Sequence, residues 1–339
     1  MNEAEFDVVN AGLGTVLSGS YGSIESLTAT SELQTQSLIS EMAAAMGIST
    51  NYATGDSGDF TIDGIPATVL SPADSPWATA VGGVSLALNP DNSIAWQAGW
   101  GNNQTLLTQQ GLIFDPPLAF GFVGGAGGGP SGYFAKPSYQ KKLPGKFRQL
   151  PDVSWLADPY TGAAILISVP NQVPAQVWQI WGGTSLATPM FSGIWAIANQ
   201  EAIAGGGTQL GQAAPYLYSL PTGAVFDVVP VKSKHNVTAS IQESPTLANQ
   251  YDPNGVMSGF LTGGASGKNF VSALWDYPFF AYTSLAMSFG SDCSDLPEDF
   301  FDGTSCNDPA ALTTKKGWDN VTGVGTPNGK AFADSFYGK

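Results

Sequence analysis

The sequence predicts an α/β fold in which a parallel sheet lies between helices. Three observations lead there. A strand–helix–strand unit opens the chain. Two more strands near residue 180 run into a second helical pattern. Of the 339 residues, 43% are hydrophobic, enough for a large core. Val16 to Ser20 reads as a short buried strand. Ser31 to Met46 reads as a helix. Leu38, Met42, Ala45 and Met46 share one face, Thr30 or Ser31 can cap the start, and Gly47 ends it. Thr50 to Thr54 reads as the next strand and runs into the glycine turn GDSGD. Short links between strand, helix and strand make a βαβ unit, hence parallel pairing. Residues 85–135 read as loop-rich. The glycine cluster at 124–129 reads as backbone that something approaches closely. Ala163 to Val169 and Val177 to Trp181 read as strands. Pro189 to Gln200 reads as a helix with proline near its first turn. Residues 240–310 show weak periodicity. The length suits one large α/β domain or two ordinary ones. With no repeat and no clear boundary, 1–339 reads as a single domain.

Charge narrows the function. There are 27 acids against 12 bases, a net charge of −15 and a pI near 4.1. Nucleic acid is excluded, because phosphates need a basic footprint. Anionic membrane surfaces are disfavoured for the same reason, and no apolar run is long enough to span a bilayer. A chain with few bases loses most of its charge in acid, so self-repulsion falls there. This points to a secreted, extracellular protein that works in acid. Cys293 and Cys306 stand in one turn-rich segment. As a disulfide they would contribute roughly 3 kcal/mol and fit an oxidising compartment; two free thiols are the alternative. The first ten residues, MNEAEFDVVN, show no signal peptide. Sequons occur at Asn103, Asn236 and Asn320.

The chemistry centres on GGTSLATP at 182–189. Ser185 follows a strand and a glycine turn and precedes a helix. Unpaired N–H groups and the helix dipole there favour developing negative charge, as a serine nucleophile's oxyanion requires. An N-capping serine is the plainer reading. A serine nucleophile also needs a base, usually histidine. The single histidine, His235, lies in the polar stretch KSKHNVT, after Ser185. A carboxylate would serve instead and would work best in acid.

Six segments in order now carry a resemblance. They are ATGDSGDF (53–60), SPADSPWATAVGG (71–83), GGGPSGYFAKPSYQ (127–140), PDVSWLADPYTG (151–162), GGTSLATPMFSGI (182–194) and KKGWDNVTGVGTPNG (315–329). Together the chain resembles the sedolisin family of serine-carboxyl peptidases. The GDSG string also resembles trypsin-like proteases, but the Gly-Pro expected after it is absent. The sedolisin resemblance implies a subtilisin-like parallel sheet flanked by helices and an acid-active peptidase acting on peptides or proteins. It implies Ser185 as nucleophile, its N–H as one oxyanion donor and Asp56 as the other. An Asp donates only when protonated, through its environment or an acidic medium; a turn Asp bonding its own backbone is the plainer reading. Gly127, Gly128 and Gly129 would pair with an extended peptide substrate.

The resemblance further implies calcium in a C-terminal region of about 225–330. Asp227 and Asp319 match the family's carboxylate ligands, with backbone carbonyls of Val228, Lys315 and Gly317. The family has glycine where Lys315 stands, and a non-glycine has less backbone freedom. Both Asp residues capping turns is the plainer reading. The family's base is a Glu with an Asp four residues later, on one helix face. Glu3 and Asp7 have that spacing, but residues 3–13 align better with the helix just before the first strand. The chain is therefore expected to begin after the family's Glu/Asp pair. That part could belong to a separate chain or propeptide, or be absent from the gene. Two other readings stay open: a catalytically silent binding module, and an esterase using Ser185 on activated esters.

Overall fold

The opening βαβ unit is present, and it seeds the central sheet. The structure, a computed structural model, describes residues 1–88, 91–107, 113–170, 176–229, 257–262, 271–276, 284–289, 312 and 314–339. Helix α1 (Asn2–Asn10) leads into β1 (Val16–Gly19), β2 (Ser23–Ile24), α2 (Thr30–Ala45) and β3 (Ser49–Ala53). Then come β4 (Leu70–Ser71), β5 (Thr79–Leu88), β6 (Ile94–Gly99), β7 (Gly101–Leu107), β8 (Ile113–Gly125) and β9 (Gly129–Ala135). Strands β10 (Phe147–Leu150), β11 (Val153–Leu156), β12 (Ala163–Ser168) and β13 (Gln176–Trp181) precede the long helix α3 (Thr184–Ala204). Helix α4 (Ala214–Leu217), strands β14 (Val225–Phe226), β15 (Met257–Thr262), β16 (Val271–Asp276), β17 (Ser284–Phe289) and β18 (Thr326–Pro327), and helix α5 (Gly329–Asp334) complete the order.

The central sheet runs β1-β3-β5-β11, with every neighbour parallel. The far half of β5 also carries β6, antiparallel. Successive residues of a strand face opposite sides, and this divides the core. Val81 and Val153 pack on one side against Phe191 and Trp195 of α3 and Phe332 and Phe336 at α5. Tyr52 and Ala80 pack on the other side. There α1 and α2 close over Val9, Ile39, Ala43 and Ile48. Asn51 joins the sheet to α3 by donating from Nδ2 to the Ser192 hydroxyl at 2.9 Å.

Several local expectations are corrected. Helix α2 does not bury the Leu38–Met42–Ala45–Met46 face: Leu38 is 62% exposed and Met46 44%. The buried stripe is Leu33, Gln36, Ser37, Ile39, Ser40 and Ala43. Hydrogen bonds explain the choice, since Ser71 donates to Gln36 Oε1 at 2.7 Å and Ser37 meets Ser75 at 3.0 Å. The residue before the helix is Ala29, and neither Thr30 nor Ser31 caps it. Gly47, at φ +74°, does end it. Helix α3 begins five residues before Pro189, at Thr184. Proline removes one helical hydrogen bond, and the Ser185 carbonyl it frees accepts from the Ser20 hydroxyl at 2.9 Å. The stretch 85–135 is largely strand, because pairing partners override weak local propensity. Strands β7 and β8 join β15, β16 and β17 in a second, antiparallel sheet. Strands β12 and β13 form a hairpin with each other. Cys293, Cys306, His235 and Asn236 lie outside the described residues. Among the described residues no helix is long and apolar enough to cross a membrane.

Two clusters of buried charge fasten the sheet to its surroundings. Arg148 and Asp152 are both wholly buried and paired, Nη1 to Oδ1 at 2.7 Å and Nη2 to Oδ2 at 2.5 Å. In the second, Asp74 is wholly buried against Glu25, itself 5% exposed. Glu25 accepts from the Ser131 hydroxyl and from the Gly132 N–H at 2.6 Å, which ties β9 to the turn after β2. Neither oxygen of Asp74 meets a donor in hydrogen-bonding geometry. Burial first, then the Glu25 carboxylate, pushes the Asp74 carboxyl up to about 8, with the nearby Ser71 hydroxyl and then Arg148 pulling the other way.

Asp74 therefore stays protonated in the folded chain where an unfolded Asp is ionised. Its stabilising proton is fully effective below the unfolded value near 3.8. The contribution falls as pH rises, by about 1.4 kcal/mol per pH unit, until the folded group ionises. Asp74→Asn keeps the position neutral at every pH. Urea unfolding between about pH 4 and pH 9 should lose one proton's worth of pH dependence in this variant. An unchanged slope would show that the pair does not hold that proton.

Candidate active site

Three neighbouring residues of one turn, Gly183, Thr184 and Ser185, meet the GDSG turn that follows β3. Gly183 precedes α3 with φ +85° and ψ 158°. Thr184 is the first helical residue and is wholly buried. Ser185 is second and exposed. Its N–H is among the donors at a helix start that have no partner within the helix. The sequence expectation of a serine hydroxyl at a helix N-terminus after a strand thus matches the observed path.

Asp56 lies against the same turn. Its Oδ1 accepts from the Thr184 N–H at 2.7 Å and faces the Thr184 hydroxyl at 2.9 Å. The Gly55 N–H donates to that hydroxyl at 3.1 Å. The Asp56 backbone is held from the other side, where Gly125 donates to the Asp56 carbonyl at 2.9 Å. Gly58 in turn donates to the Gly125 carbonyl at 3.0 Å. Ser185 and Asp56 come from positions far apart in sequence, and the structure brings them to one place.

Gly127, Gly128 and Gly129 are all buried, and the backbone that approaches them closely is the chain's own. A Cβ at Gly127 would lie 1.9 Å from the Thr54 carbonyl oxygen, and one at Gly128 1.8 Å from that of Asn320. Gly127 also donates its N–H to the Gly55 carbonyl at 2.9 Å. Gly129 pairs with Leu150 of β10.

Glu3 and Asp7 sit on α1, both exposed, on the face of the sheet opposite α3. Sequence reasoning passed over their neighbour Glu5, which turns inward and accepts from the Tyr52 hydroxyl at 2.8 Å. Burial, the largest effect, raises its carboxyl. It also passed over Ser20 and Thr184, although both stood inside quoted segments; only the contacts of the fold reveal their partners.

The C-terminal loop brings its expected residues together in pairs. Both Asp227 oxygens face the Gly317 N–H, at 2.9 and 3.1 Å. Asp319 is wholly buried and accepts from Val321 and Thr322 N–H at 2.9 and 2.7 Å, with Lys315 N–H at 3.3 Å. Val228 is buried beside Asp227. Lys315 has no positive φ, whereas Gly317 stands at +79°. The lysine thus adopts its place in the loop without left-handed backbone. Desolvation pushes the Asp319 carboxyl up to about 6, with its hydrogen bonds opposing. Among the described residues no basic side chain pairs with it. The Asp319 charge is met by these N–H groups and the Thr322 hydroxyl at 2.9 Å, while carboxylate and carbonyl oxygens are the hard donors that calcium takes. Among the described residues no cluster of three or more His, Cys, Asp or Glu forms a metal site by side chains alone.

Comparison with known proteins decides the family. Sedolisin of Pseudomonas sp. (strain 101) is 32% identical over 250 residues, 70% of this chain and 38% of that protein. This chain belongs to the sedolisin family. Human tripeptidyl-peptidase 1 is 31% identical over 229 residues, 62% of this chain and 35% of its own length. Kumamolisin of Bacillus sp. (strain MN-32) is 32% identical over 197 residues, 55% and 30% respectively. The chain thus spans about a third of the length of these sedolisin-family relatives. No family model matches it. The solved structure of Pseudomonas sedolisin, a serine-carboxyl proteinase complexed with pseudo-iodotyrostatin, superposes with a TM-score of 0.60. The match covers 98% of this chain and 67% of that one at 24% identity, and it establishes the fold.

The opposite faces of the sheet give one expectation. Changing both Glu3 and Asp7 to alanine should leave any hydrolysis unaltered. A loss of about 10²–10⁴-fold in rate, the contribution of a general base, would instead assign the base to α1.

Proposed function

We propose that this chain is a serine-carboxyl peptidase that cleaves peptide bonds through an acyl-enzyme on Ser185. The observation that carries the reading is the docking of Asp56 on Thr184, immediately before an exposed Ser185 in the first turn of α3. Ser185 Oγ would bond to the scissile carbonyl carbon while its proton passes to a carboxylate base. The carbonyl oxygen takes up the negative charge beside the Ser185 N–H and Asp56. The amine then leaves with a proton, and water hydrolyses the ester to restore the hydroxyl. Peptides or proteins are the substrates, and Gly127, Gly128 and Gly129 would border the strand that receives them. Acid conditions and a secreted location agree with the charge of −15 and with the carboxyl pair of Glu25 and Asp74.

A specific observation favours the second reading, a silent binding module or an esterase. Among the described residues no carboxylate or histidine hydrogen-bonds the Ser185 hydroxyl. A peptidase needs such a base; an activated ester needs less help. Ser185→Ala should abolish cleavage of peptides and esters with the melting temperature kept. Full activity in the alanine variant would remove Ser185 as nucleophile.

Calcium belongs to the same proposal. Asp227, Asp319 and carbonyls of Val228, Lys315 and Gly317 would hold the ion, which would neutralise the buried carboxylate and brace the loop. Chelation should lower the melting temperature and added calcium restore it. A melting curve indifferent to both would reject the site.

A further inference from the structure

The Asp56 carboxyl is held asymmetrically, and the asymmetry has chemical content. Oδ1 receives the Thr184 N–H at 2.7 Å and lies 2.9 Å from the Thr184 hydroxyl. Among the described residues no donor reaches Oδ2. That oxygen lies over Gly183, where a Cβ would come within 2.6 Å of it and within 3.3 Å of Cγ. The Thr184 hydroxyl accepts from the Gly55 N–H at 3.1 Å, and its single proton goes to Asp56 Oδ1 at 2.9 Å, the nearer of its two acceptors, rather than to the Gly55 carbonyl at 3.1 Å. Gly183 therefore supplies the space, Thr184 the clamp and Ser185 the nucleophile.

An amide N–H is a donor only. With the Thr184 hydroxyl also donating to Oδ1, a proton on Oδ1 would meet two donors and no acceptor. We infer that Thr184, with Gly183, is a positioning residue that confines the Asp56 proton to Oδ2, making Oδ2 the single oxygen able to donate to the oxyanion. This rests on the peptidase reading and adds to it which atom donates and what holds it there. It also explains why two buried residues, Gly183 and Thr184, stand directly before the serine. Loss of the Thr184 hydroxyl lets the carboxyl turn, so the cost falls on the transition state, where the donor is needed, and spares substrate binding.

The test uses hydrolysis of p-nitrophenyl acetate, whose leaving group needs no acid assistance, by the full chain. Thr184→Val should lower kcat by about 10–100-fold with KM unchanged, within the range for a lost oxyanion donor. Thr184→Ser should recover most of it. Asp56→Asn puts an amide donor at the Oδ2 position and its carbonyl under the Thr184 clamp. It should exceed Asp56→Ala by at least about tenfold. If Ser185→Ala keeps full turnover, or wild type shows none that depends on Ser185, the peptidase reading falls and this inference with it. If Ser185→Ala abolishes turnover while Thr184→Val keeps kcat and pH profile, Ser185 stands as nucleophile and the inference is overturned. Should Thr184→Val fail to fold, the two Asp56 variants decide: equal rates for asparagine and alanine would also overturn it.

Discussion

The buried ion pair of Arg148 and Asp152 is the constraint around which the rest is arranged. Both side chains are wholly buried, so each charge exists only because of the other. Asp152 does more than neutralise: its Oδ2 accepts from the Ala80 N–H at 2.8 Å and its Oδ1 from the Tyr218 hydroxyl at 2.8 Å. Those bonds fix β11 to the start of β5 and to the end of α4. Arg148 continues outward to the Ser75 and Gln149 carbonyls, which sets the loop before β5 and the strand β10. Removing one partner of such a pair costs about 3–5 kcal/mol, because an uncompensated charge stays behind. The register of β5 against β11 also sets where β3 and the Asp56 turn arrive.

The candidate site depends on that register through close backbone contacts. Gly127 and Gly128 let the chain pass against Thr54 and Asn320 at distances that exclude any side chain. Gly125 and Asp56 exchange contact across the same region. The site is a junction of four segments, and each supplies one piece: a turn after β3, the end of β8, the first turn of α3 and the residue after β1. Calcium, where it binds, would act far along the chain from these, on the loop that carries Asn320.

Legibility followed locality. The path of the Ser185 turn was readable because strand, glycines, serine and helix are consecutive, and the βαβ unit was readable for the same reason. The buried face of α2 was hidden because it is chosen by Ser71 and Ser75, which dock Gln36 and Ser37; hydrophobic spacing pointed to Leu38 and Met46, which instead face outward. Strands β5 to β9 were hidden because glycine and asparagine carry little strand propensity, and distant partners impose the extended form. Asp152 was quoted within a motif, yet nothing local marked it as the partner of Arg148. Likewise Glu25 and Asp74 meet only after the turn following β2, the strand β4 and the loop before β5 have folded together, so their shared proton has no sequence signature.

Pro189 gives the site a mechanical character. A helix whose first turns were fully bonded would move as a rod, carrying Ser185 with its own axis. Here the Ser185 carbonyl is released from that ladder and tied to Ser20 at the end of β1. Ser185 is thereby registered to the sheet as well as to the helix. Trp195 and Phe336 hold the body of α3 in the core, so a substitution there would act on the helix while the Ser20 bond would still tie Ser185 to the sheet.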